Sequence, residues 1–232
     1  ELLSGKTISL GSFSAGILYF RNFTQFGNTS QAFTLGGTSI LYFQTGTTFN
    51  GDLTAGSPRL YLNGATFNGK ATLEKTGNGS DWTQGGNTYN DTTWITNSGF
   101  GYLILAGNNS DLYNADVTFT NSGADIIHVA YGAPTTFNGN ITLNSTGSVA
   151  WGGVRFGQWT GSSTLAAGKT ISLGNYSSGY LYLRKFTQLG ATPQILSPSA
   201  TNTRLYFQDG TIFNGSVSVD LTGSSILYFQ NG

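Results

Sequence analysis

The chain has 232 residues, with ten Lys+Arg balanced by ten Asp+Glu, so its formal net charge is zero. Only 9% of residues are charged and 14% are aromatic, against about a quarter charged in an ordinary globular domain. A neutral chain offers no electrostatic footprint to nucleic acid or an anionic membrane. Its aromatic content opposes disorder, and apolar runs such as 102–106 fall far short of the roughly 20 residues of a spanning helix.

Cysteine is absent, which excludes disulfide frameworks, thiolate metal sites and Cys nucleophiles. Methionine is absent too, and both ends fall in mid-pattern, so the chain reads as an excerpt of something longer. Any targeting signal then lies outside it.

In chain order, the first element to repeat is the stretch 5–27, GKTISLGSFSAGILYFRNFTQFG, which returns at 168–190 as GKTISLGNYSSGYLYLRKFTQLG. Gly5 is thus answered by Gly168, and every position between Gly5 and Gly27 by its counterpart in the second copy. The span 1–232 therefore forms one continuous segment, with 5–167 a full long repeat and 168–232 the start of the next. Inside it runs a shorter period: a Leu-Tyr-Phe-like triplet centred on Tyr19, Tyr42, Tyr61, Thr83, Ile104, His128, Arg155, Tyr182, Tyr206 and Tyr228. Tyr19 and its long-repeat counterpart Tyr182 are seven of these steps apart. A second marker accompanies the triplet, an aromatic followed by Asn50, Asn68, Asn90, Asn114, Asn138 or Asn214.

Gly, Thr, Ser and Asn together make up nearly half the chain. These are poor helix formers, and no stretch shows helical spacing of apolar residues. Short alternating runs bounded by Gly and Asn read as strands and turns. The triplet flanks stay apolar (Leu41/Phe43, Leu60/Leu62, Ile127/Val129, Leu181/Leu183), whereas the centre accepts Tyr, Thr, Ile, His and Arg. A period of two then points the flanks inward and the centres outward. After the Asn marker, pairs such as Val117/Phe119 and Ile141/Leu143 face inward while Thr118 and Thr142 face out. The fold expected is all-β: a parallel β-solenoid (β-helix) of about ten coils of about 23 residues, seven coils to each long repeat. Stacked at the strand spacing, ten coils make a rod of roughly 48 Å. Propeller blades of about 40 residues are nearly twice too long.

Catalytic chemistry finds little purchase. Solenoid enzymes that cleave polysaccharides need clustered carboxylates or bases, and the ten acids are scattered. Asp111 and Asp116 read as turn residues beside an Asn marker. His128 stands alone at an outward centre and reads as an exposed surface residue. No calcium nonapeptide or phosphate loop is present, and no cofactor is expected. The recurrent Asn reads as a turn ladder, bonded from coil to coil.

The outer face carries the functional signal. Tyr19, Tyr42 and Tyr61, then Tyr182, Tyr206 and Tyr228, fall on successive coils, with Ile17, Ile40 and Ile226 two positions before them on the same side. So contiguous an apolar strip is expected to be covered. Outward Thr and Ser (Thr72, Thr118, Thr142, Ser172, Ser218) suggest an ice-binding array, but Trp94 interrupts it. The motifs TTFNGNITLNSTG (135–147) and STLAAGKTISLG (163–174) resemble the giant repetitive surface proteins of Bacteroidota, which look like type IX-secreted adhesins or filament subunits, including hook-like appendages. The resemblance implies an extracellular or cell-surface location. The function expected is a non-enzymatic filament or adhesive-stalk segment, partnered by copies of itself through the Tyr/Ile strip. Neither nucleic acid nor membrane insertion is expected. The alternative is an adhesin module that binds cell-surface glycans on its Tyr rows. An excised segment is also expected to associate end to end through open strand edges.

Overall fold

The computed structural model describes residues 1–147, 151–199 and 202–230. Among them there is no helix. Strands wind into a three-sided parallel β-solenoid of about nine turns, close to the expected ten coils. The tyrosine face is built from Ile17–Phe20, Ile40–Gln44, Arg59–Asn63, Asp81–Trp82, Leu103–Ile104, Ile126–Val129, Gly153–Phe156, Tyr180–Arg184, Arg204–Gln208 and Ile226–Gln230. A turn leads to the asparagine face, made of short strands such as Thr66–Phe67 and Asp111–Tyr113. The threonine face follows, with strands such as Thr93–Asn97 and Val117–Asn121. Pairing is parallel on every face and aligns equivalent residues of successive coils, with one break on the tyrosine face between Arg59–Asn63 and Asp81–Trp82.

The period of two works as expected. Leu41, Phe43, Leu60, Leu62, Ile127, Val129, Leu181 and Leu183 are all buried, and Val117, Phe119, Ile141 and Leu143 meet them from the threonine face. Phe49, Phe67, Tyr89, Tyr113 and Phe137 complete the core from the asparagine face, their rings stacked one coil on the next. Stacking like on like lets the same packing solution serve every coil.

The fourth coil corrects the expectation at Thr83. Ile104 pairs with Trp82, so Trp82 is the outward centre and Thr83 is a buried flank. The other flank is Asp81, on the same register line as Leu103 and Ile127. A buried carboxylate needs partners, and Asp81 has them: it accepts the Leu60 backbone N–H at 2.9 Å and pairs with Arg59. This bond joins the three-stranded part of the tyrosine face, 17–63, to the seven-stranded part that follows.

Two more charged groups lie inside. Lys75 is buried, and its Nζ donates to the carbonyls of Gly77 (2.6 Å) and Gly101 (3.0 Å) and to Asn97 Oδ1 (3.3 Å). Three acceptors match the three protons of an ammonium. Asp111, read from sequence as a turn residue, is instead a buried strand residue. Its Oδ1 accepts both the backbone N–H and the Nδ2 of Asn87, each at 2.9 Å. Burial pushes its carboxyl up to about 6. The corner beside Lys75 is closed by stacked glycines. A Cβ on Gly123 would overlap the Gly99 carbonyl oxygen, and one on Gly99 would overlap that of Gly77.

Candidate functional site

The outward centres form one column along the tyrosine face: Tyr19, Tyr42, Tyr61, Trp82, Ile104, His128, Arg155, Tyr182, Tyr206 and Tyr228. Parallel in-register pairing sets the ring separation, because side chains one coil apart can only sit near the strand spacing of about 4.8 Å. Tyr19 and Tyr42 have ring centroids 4.8 Å apart, Tyr42 and Tyr61 4.4 Å, Tyr182 and Tyr206 4.4 Å, and Tyr206 and Tyr228 4.5 Å. All four pairs are within 16° of parallel.

This stacking decides what the column can offer. Within each triplet the middle ring has both faces, and each end ring one face, taken by a neighbouring ring. Tyr19 is 53% exposed, Tyr42, Tyr61, Tyr182 and Tyr228 are half-buried, and Tyr206 is only 9% exposed. Ile17 and Ile40 sit beside the first triplet, and Ile226 beside the second, on the same side of the sheet. An arginine accompanies each triplet: the Arg155 guanidinium lies 4.2 Å above the Tyr182 ring and extends that stack, and Arg59, in register with Ile40, donates to the Tyr61 hydroxyl. Burial raises the phenols of Tyr42, Tyr61 and Tyr182 above the usual tyrosine range.

Between the triplets the column is covered, which corrects the reading of His128 as exposed. His128 points outward from its strand yet is only 9% exposed. Tyr131 packs edge-on against it at 5.3 Å, and Tyr102 approaches at 6.0 Å. Tyr131 in turn packs against Trp82 at 4.9 Å and Trp159 at 5.3 Å. Desolvation first, and the nearby Arg155 charge second, lower the His128 imidazole to about 3. The loops that carry Tyr131 and Trp159 belong to the two longest coil steps, from His128 to Arg155 and from Arg155 to Tyr182.

The asparagine markers meet as side chains. Nδ2 of Asn68, Asn90, Asn114 and Asn138 donates to Oδ1 of the Asn one coil earlier, at 2.6, 2.6, 2.7 and 2.9 Å. Asn50 begins the ladder by donating to the Gln25 carbonyl. Asn214 stands apart from it, because Ala166 and Leu189 occupy the turn in the intervening coils. It donates instead to the Gln188 carbonyl, the counterpart of Gln25 in the second repeat. On the third face Thr54, Thr72, Trp94, Thr118, Thr142 and Ser172 share one outward column, continued by Ile195 and Ser218.

Sequence reading missed the groove beside the first tyrosine triplet. Arg21, Gln44, Thr45, Asn63, Gln84 and Asn109 line a shallow depression of about 410 Å³. The signal was available, since Arg21, Gln44, Asn63 and Gln84 each stand two positions after a column centre. Among the described residues no three His, Cys, Asp or Glu gather as metal ligands. Comparison with family models, with curated proteins and with solved structures gives no match to this chain.

Proposed function

We propose that this chain is a segment of an extracellular structural rod, a filament or adhesive-stalk element without catalytic activity that associates laterally with copies of itself. The observation that carries the reading is repetition of tertiary detail from one long repeat to the next. Gln31 donates to the Lys6 carbonyl and accepts the Ile8 N–H, both at 3.0 Å. Gln194 does the same with Lys169 and Ile171, at 3.1 and 2.7 Å. Asn22 and its counterpart Lys185 share a left-handed backbone with φ of 49°. A unit that reproduces its own braces can be stacked without limit, its stability summed over neighbouring coils. The extracellular placement rests on the motif resemblance given above.

Lateral contact is assigned to the two tyrosine triplets with Ile17, Ile40 and Ile226. Identical neighbours meeting there repeat each contact along the rod. Because every ring is partly covered by its neighbour, each contributes less than the about 1.5–3 kcal/mol of a fully buried aromatic. Strength comes from number. The test replaces Tyr42 and Tyr206 with Arg, which the column already accommodates at Arg155. Light scattering and electron microscopy of the parent chain should show bundles that the double variant loses, most completely at low salt. Equal bundling by both would reject the tyrosine face as the contact.

Glycan binding is the second reading, favoured by the groove of Arg21, Gln44, Asn63, Gln84 and Asn109. Planar amides and a guanidinium suit sugar hydroxyls, whereas the stacked Tyr rings have given their faces to one another. Saturable glycan-array binding that is lost in Gln44→Ala and Asn63→Ala would favour it.

A further inference from the structure

We infer that the two tyrosine triplets are sites of intrachain oxidative coupling, forming dityrosine staples between successive coils. Three independent observations converge on this. The four ring pairs are near-parallel and 4.4–4.8 Å apart, so each phenol is held against its coupling partner one coil away. The triplets lie on the outer face, and their ends reach solvent. Finally, the chain contains no Cys and no Met, the side chains that ordinarily take up oxidising equivalents first. Its most oxidisable groups are therefore Tyr and Trp.

The chemistry balances with hydrogen peroxide as the oxidant, acting through a peroxidase. Each of two tyrosines loses one electron from the ring and one proton from the hydroxyl. The two radicals join through their ortho carbons, and both ring hydrogens move to oxygen as the phenols re-form. The pair has lost two hydrogens, and one peroxide becomes two waters. Tyr206, largely covered, is reached by electron exchange with Tyr182 and Tyr228 stacked on either side at 4.4 and 4.5 Å. Outward χ rotation brings the carbons to bonding distance, which the core would not allow.

The core supplies an internal control. Tyr89 and Tyr113 stack at 4.5 Å and 7°, the same geometry, but both are fully buried in the core. Both rings are packed inside the solenoid, out of reach of a peroxidase and without room for the outward rotation that coupling needs. The outer triplets should couple and this pair should not. The inference does not depend on lateral association, since each link lies within one chain.

The test treats the 232-residue chain with peroxidase and hydrogen peroxide, then reads dityrosine fluorescence and maps cross-linked peptides by mass spectrometry. Expected are links within the two triplets, each with the loss of two hydrogens, in a product that still runs as a monomer in denaturing gels. Tyr42→Phe with Tyr206→Phe removes the middle hydroxyl of both triplets while keeping the stack, and should abolish the mapped links within the triplets, leaving only the edge-on Tyr180–Tyr182 contact as a neighbouring pair on the outer face. Tyr19→Phe with Tyr228→Phe leaves one stacked pair in each triplet, so dityrosine should persist as Tyr42–Tyr61 and Tyr182–Tyr206 links. Circular dichroism verifies that both variants fold. Undiminished dityrosine in the first variant, links confined to Tyr89–Tyr113, links only between chains, or oxidation without any dityrosine would each overturn the inference.

Discussion

Asp111→Asn is a direct test of the polar interior. From an ordinary carboxylate value of 3.8, burial raises Asp111 to about 6. At about 1.4 kcal/mol per pK unit, holding the ionised form costs the fold about 3 kcal/mol. The folded protein therefore binds this proton more tightly than the unfolded chain. Stability falls as pH rises from about 4 to about 6, and the full cost is present above that window. Asparagine keeps a carbonyl oxygen to accept both Asn87 donors and carries no charge. Its new NH2 falls where Asp111 Oδ2 has no partner, a penalty of about 1–3 kcal/mol that is the same at every pH. Urea unfolding of parent and variant, followed by tyrosine and tryptophan fluorescence, should show the variant gaining on the parent by about 3 kcal/mol between mild acid and neutrality. Comparing the two chains cancels every other titrating group they share. A difference that does not change with pH would mean that Asp111 is solvated or paired, and the argument from burial would fail.

Four further outcomes are expected. His128, lowered from 6.5 to about 3 by burial, acts with the opposite sign: its contribution is complete above 6.5 and is lost as pH falls toward 3, about 5 kcal/mol in all. His128→Leu should make the fold measurably more acid-resistant in the same urea series. Asn90→Ala removes two exposed links of the amide ladder and should cost about 1–2 kcal/mol in thermal unfolding. Gly123→Ala places a methyl against the Gly99 carbonyl and should cost about 3 kcal/mol or more. Asp81→Ala strands the Leu60 N–H and Arg59. It should cost about 2–4 kcal/mol, with hydrogen exchange accelerating first at Leu60.

What could be read from the residues alone was whatever repeats with the pitch of the backbone. Strand side chains alternate, so constant flanks around variable centres identify the inward set. The regular coil period then aligns Tyr19 with Tyr42, and the Asn marker aligns Phe49 with Phe67, as the pairing of the strands bears out. The solenoid, its stacking columns and its separation of faces all follow from that one regularity.

Tertiary structure decided wherever a residue's environment is made by a distant part of the chain. Asp81 could not be recognised as a core flank, because only the Leu60 N–H and Arg59 across the coil boundary make a buried carboxylate tolerable; without them, the triplet centre slips to Thr83. Alternation states which side of its own strand His128 leaves, but not that Tyr131 and Tyr102 will cover it. The tyrosine rings were placed outward by sequence, yet their mutual stacking, which turns ring faces away from solvent, depends on rotamers that pattern does not encode. Asn214 shares its marker with the ladder but not its bonds, since Ala166 and Leu189 occupy the turns between. Periodicity assigns direction relative to the local backbone, while burial, charge state and contact are set by what the rest of the fold lays against it.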